Sequence, residues 1–300
     1  MNSILRVAEF VILLCVTSPC CLLSQEYPFL SKVQITATVS YNLPSHLFFY
    51  SYQVSSDQSN KGTILFIDLD ISRGQHTMTY DTVGLTFDSK LSESYFREHY
   101  PHLMGGIVPV GFPRLPNEGW YANIGGVFAE ATMSTDSLGI VPGQRVSDIV
   151  ISSRALPGIR KIRFEPEFQD GIYFPYDDTT NTDDIDSIRY AIKFRGWTVA
   201  PTAPPVNFEA TSWCDTLVNY TLESETLGWI KDRPTATKYL AYFSSARSKL
   251  EQHDSVGVRT VLQQVLREVE SDSAVHLSSE AYALLRFNTE YLVDKLPTHR

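Results

Sequence analysis

The chain has 300 residues, enough for two folded units with cores of their own. At 43% hydrophobic and 20% charged it is not a disordered chain. A net charge of −9, with no run of five like charges, excludes a surface built to grip nucleic acid, which needs clustered Lys and Arg.

The first residues read as an export signal. Arg6 supplies a positive start, Phe10 to Val16 is an apolar run too short to span a bilayer, and Pro19 breaks any helix. Cleavage between Ser24 and Gln25 defines a signal peptide over residues 1–24, leaving no transmembrane helix in the mature chain. The rival reading is lipoprotein anchoring at Cys20 or Cys21, for which Thr17-Ser18-Pro19 is a poor lipobox. Three of the four cysteines (Cys15, Cys20, Cys21) lie in this signal, so the mature chain keeps Cys214 alone and cannot form an internal disulfide. Beside Trp213 at a helix start, Cys214 reads as a small buried hydrophobe.

From Gln25 to Thr198 the pattern is that of short strands. Residues 33–39 alternate apolar and polar, 47–54 are rich in aromatic residues, and 63–71 place Leu65, Ile67, Leu69 and Ile71 on one face and Phe66, Asp68 and Asp70 on the other. Further strands are expected at 83–87, 127–132, 146–152 and 159–168. Seven or so strands without intervening helices predict an antiparallel, Ig-like β-sandwich over 25–198. Pro142-Gly143 reads as a tight turn before an alternating strand, and Pro157-Gly158 as a second turn of the same kind. The stretch from Ile140 to Ser153 resembles a Pro-Gly turn-and-strand of exported bacterial β-sandwich domains, with Arg145 and Asp148 in place of the usual Ser and Gly.

Pro201, Pro204 and Pro205 mark a proline-rich linker over 199–212, after which apolar residues recur every three or four positions. Four helices follow over 213–296, an antiparallel bundle: one from Trp213 to about Ile230, one ending at Gln252, one capped by Asp254 and one capped by Ser278. The expected fold class is therefore α+β with two domains. The segment from Lys238 to Leu296, with its helices KYLAYFSSARSKLEQHD, VRTVLQQVLREVES and HLSSEAYALLRFNTEYLVDKL, resembles the FIMAH-type helical module at the C-termini of multidomain secreted bacterial proteins. The resemblance implies an accessory module on an exported protein, and implies no catalytic residue.

Four groups of residues are candidates for chemistry. Asp170, Asp177, Asp178, Asp183, Asp184 and Asp186 crowd one loop whose donor count suits Ca²⁺, although the spacing is not that of an EF-hand and a solvated loop rich in turns accounts for the same residues. Trp120, Tyr121, Tyr173 and Tyr176 stand among polar residues where rings could stack on sugars, or serve as core and loop anchors. His99 and His102 lack an identifiable third metal ligand. Glu165 and Glu167 share one side of a strand, where an edge-protecting role competes with catalysis. No nucleophile elbow, Walker loop or dinucleotide fingerprint occurs, so no cofactor beyond calcium is expected. The expected function is an exported, non-enzymatic binding or scaffolding protein of the bacterial cell envelope or extracellular space, with a protein or glycan as partner. The alternatives are a carbohydrate-binding accessory to a polysaccharide-degrading system and a hydrolase with an interdomain site.

Overall fold

The computed structural model describes residues 29–73, 106–125, 130–135, 139–166 and 193–297. The expected signal peptide, the strand at 83–87, His99, His102, Glu167 and the acidic loop with its flanking Tyr173 and Tyr176 lie outside them.

Among the described residues are eight strands: β1 (Val33–Asn42), β2 (Leu47–Ser56), β3 (Ile64–Asp70), β4 (Trp120–Gly125), β5 (Glu130–Thr135), β6 (Arg145–Ser153), β7 (Leu156–Pro166) and β8 (Phe194–Thr202). They form two antiparallel sheets, one in the order β1-β2-β6 and one in the order β4-β5-β3-β7-β8. Period-two alternation sorts the side chains. On β2, Phe48, Tyr50, Tyr52 and Val54 are buried and their neighbours half-buried. The larger sheet turns Ile67, Leu69, Ala131, Met133, Ile162 and Phe164 into the core. The phenol of Tyr52 donates to the Val199 carbonyl at 3.1 Å, tying β2 of one sheet to β8 of the other.

Two local expectations are corrected. Pro157-Gly158 is no turn: both residues lie in β7, opposite Pro201 and Ala200 of β8. A Cβ on Gly158 would sit 2.1 Å from the Thr202 hydroxyl, so the glycine is there for close approach. The linker expected from 199 begins inside β8, because Val199 and Ala200 are fully buried and the facing pair Pro157 and Pro201 has no N–H to leave unpaired. Trp120 and Tyr121 open β4. Pro142-Gly143 does form a turn, with Gly143 at φ +84°.

Four helices follow: α1 (Ala210–Thr226), α2 (Arg233–Glu251), α3 (Ser255–Asp272) and α4 (Ser279–Lys295). Asp232, Asp254 and Ser278 cap α2, α3 and α4 by accepting from the amides of Thr235, Gly257 and Ala281. Each helix packs on the next, and α1 also on α4.

Helix α4 also packs on the strands β1, β7 and β8. Its Glu280 carboxyl, buried, accepts from the Ala37 amide of edge strand β1 at 2.6 Å. Its Asn288 amide donates to the Pro157 carbonyl of β7 at 2.9 Å. Phe287 meets Phe48 of β2 edge-on, ring centres 5.1 Å apart. Strands and helices thereby share one hydrophobic cluster. Replacing Glu280 by Ala leaves the buried Ala37 N–H without a partner. The expected cost is about 1–3 kcal/mol in urea unfolding, while Glu280→Gln, which keeps an acceptor, costs less.

Candidate functional site

The outward face of the five-stranded sheet carries the densest chemistry among the described residues. Cross-strand register sets Asn123, Thr132, Asp68, Arg163 and Arg195 in one row across β4, β5, β3, β7 and β8. A neighbouring row holds Tyr121, Ser134, Phe66 and Glu165. Glu130, opposite Asp70, and Lys193, just before β8, complete the set. These positions share a face because paired residues on adjacent strands point the same way and residues two apart repeat it.

Arg163 is the hub. Its guanidinium lies 3.0 Å from the Asp68 carboxyl, 3.2 Å from Glu130 and 3.0 Å from Glu165. Lys193 reaches the same Glu165 oxygen at 2.7 Å, and the Thr132 hydroxyl donates to Asp68 at 2.7 Å. A second buried set adjoins it: the fully buried Arg160 donates to the Thr202 hydroxyl at 2.9 Å and lies 3.6 Å from Asp70.

The charges are unevenly matched. Three carboxyls crowd Arg163, Lys193 adds positive charge at Glu165, and Arg195 stands beside Arg163 in the row. Burial pushes the Glu130 carboxyl up to about 8 against the pull of Arg163, and Asp68, Asp70 and Glu165 add to the rise. Burial, with Glu165 beside it, also raises Asp68, which Arg163 and Thr132 oppose. Burial lowers Arg163 but its three carboxyl neighbours outweigh it, so the guanidinium is held charged. Burial lowers Lys193, opposed by Glu165. At neutral pH the raised Glu130 carboxyl keeps its proton, which relieves the crowding of carboxyls around Arg163.

The residues expected from sequence fare differently. Alternation splits Trp120 from Tyr121: Trp120 is 4% exposed and turned into the core, so it is not a stacking platform, whereas Tyr121 is 57% exposed on the charged face. Glu165 is on the face, committed to Arg163 and Lys193. Cys214 is buried and its thiol is pushed up to about 12 by burial, which keeps it protonated and unreactive. The expected metal ligands Asp177, Asp178, Asp183, Asp184 and Asp186 and the rings Tyr173 and Tyr176 lie outside the described residues. Among the described residues no three His, Cys, Asp or Glu side chains come together in a way that could hold a metal ion. Sequence reasoning singled out neither Arg163 nor Glu130 nor Lys193, although the alternation Arg163-x-Glu165 beside Asp68-x-Asp70 carried the signal.

No family model and no curated protein matches the chain. Among the described residues no helix is long and apolar enough to cross a membrane.

The shift on Glu130 has a testable sign. A carboxyl whose folded value is raised stabilises the fold fully below its ordinary range and loses that contribution as pH climbs to about 8. Between pH 5 and pH 8 the wild-type chain should lose on the order of 3 kcal/mol of stability, and Glu130→Gln should lose less than half of that, measured by urea unfolding at each pH.

Proposed function

We propose that the chain is an exported, non-enzymatic protein of the bacterial cell envelope or extracellular space that binds or scaffolds a partner. On this reading the sheets form an Ig-like sandwich that presents the charged face, and the helices are an accessory module. What supports it is the mutual commitment of the central charges: Asp68, Glu130, Glu165 and Lys193 are each engaged with Arg163 or with one another at 2.7 to 3.2 Å. Groups locked in this way hold a surface in shape. A general acid or base must be free to meet a substrate proton.

One observation favours a second reading. Glu130, whose carboxyl burial raises to about 8, shares the Arg163 guanidinium with Glu165, and a hydrolase can use one carboxyl kept protonated near a second. A hydrolytic site between helices and strands has less support, because that contact is filled by Phe287, Asn288 and Glu280.

Two measurements test the proposal. Mass spectrometry of the protein from the extracytoplasmic fraction should find a mature N-terminus near Gln25; a chain retaining Met1 contradicts export. The purified protein should not turn over a panel of nitrophenyl glycosides and esters. Turnover that Glu130→Gln or Glu165→Gln abolishes would replace binding by hydrolysis.

A further inference from the structure

The β4 side of the charged face carries side chains that the ion pairs leave unused. Tyr121 stands opposite Ser134 and Ser134 opposite Phe66, so two rings flank one hydroxyl in a single row. Two strand spacings separate the rings, about 10 Å. Tyr121 is 57% exposed and Phe66 37%, so both rings are open to a ligand. Asn123 stands one row on from Tyr121, beside Thr132. Among the described residues, the Tyr121 phenol, the Asn123 amide and the Ser134 hydroxyl make no hydrogen bond to another side chain or to the backbone beyond the ladder.

We infer that this row is a binding platform for a neutral polysaccharide, with Tyr121 and Phe66 each stacking on a sugar ring and Ser134 and Asn123 meeting hydroxyls at its edge. A pyranose presents an apolar face of C–H groups, which a ring covers well, and a rim of hydroxyls, which need donors and acceptors beside that ring. The row supplies both in alternation, and strand geometry fixes their order. Two separated rings suit a chain of sugars rather than a single one. The neighbouring carboxyls are already engaged: Asp68 and Glu165 pair with Arg163 and Lys193, which leaves them little free charge to offer an ionic polymer. The chain's overall charge of −9 also repels polyanions. Phe66 owes its exposure to alternation: it stands two residues before Asp68 in regular register and so shares its face, while the ladder between β3 and β7 shifts just before it, where Ile64 turns into the core.

This inference rests on the reading of the chain as an exported binding protein and specifies its ligand. The test is affinity electrophoresis of the mature chain through gels holding hydroxyethylcellulose, laminarin or galactomannan, with alginate as the acidic arm. Retardation in at least one neutral gel is expected, weakened roughly tenfold by Tyr121→Ala and by Phe66→Ala, as for loss of one stacked ring. Tyr121→Phe and Phe66→Trp should retain most of it. Both rings are exposed, so melting temperatures should stay near wild type and separate lost binding from lost folding. Three outcomes overturn the inference: no retardation in any neutral gel, retardation in alginate alone, or retardation that both alanine variants leave unchanged. A chain that is exported and inert toward nitrophenyl substrates yet passes all gels freely would sink the glycan platform and leave the broader binding reading standing.

Discussion

The structure depends on a single carboxyl group placed against a strand edge. Strand β1 borders its sheet and would present an unpaired amide at Ala37, a template for another strand. Glu280 of helix α4 fills that amide at 2.6 Å from a buried position. Around this contact the helix brings Asn288 to the carbonyl of Pro157 and Phe287 to Phe48, so both sheets meet the same helix. A buried acid without its partner would be costly, and so would a buried amide without an acceptor. Each therefore enforces the other's position, and the helical half of the chain is anchored to the strand half at a defined register.

The larger sheet works as a divider. Its inner face is apolar and completes the core, while its outer face gathers carboxyls and cations around Arg163. Crowding three carboxyls, one buried and two half-buried, against one guanidinium is costly when all carry charge, and a retained proton on Glu130 eases that at neutral pH. The ion pairs tie β3, β5, β7 and Lys193 together, while Tyr121 on edge strand β4 and Phe66 on central strand β3 project from the same face without joining them.

Much of this was legible from residue spacing. The alternation in 33–39, 47–54 and 63–71 marked β1, β2 and β3, and the caps Asp254 and Ser278 marked two helix starts at the right residues. Prolines misled where local rules met tertiary pairing. Pro157-Gly158 carries every sign of a turn, and Pro201 of a break, yet the two prolines face each other in a ladder where neither is asked to donate. Trp120 and Tyr121 looked like one aromatic pair because sequence adjacency hides the face each residue takes. The charged hub was visible only in pieces, since its members come from β3, β5, β7 and the approach to β8, and periodicity does not reveal which strands lie side by side. The contact of Glu280 with Ala37 spans 243 residues, beyond the reach of any local pattern.

The coupling of helix to strand edge is most directly measured by native-state hydrogen exchange of the full chain across a denaturant series. The account predicts that amides of β1 and α4 open with one common free energy and that this value tracks global unfolding. Exchange of α4 through its own lower-energy opening, while β1 and the rest of the sheets stay protected, would contradict it.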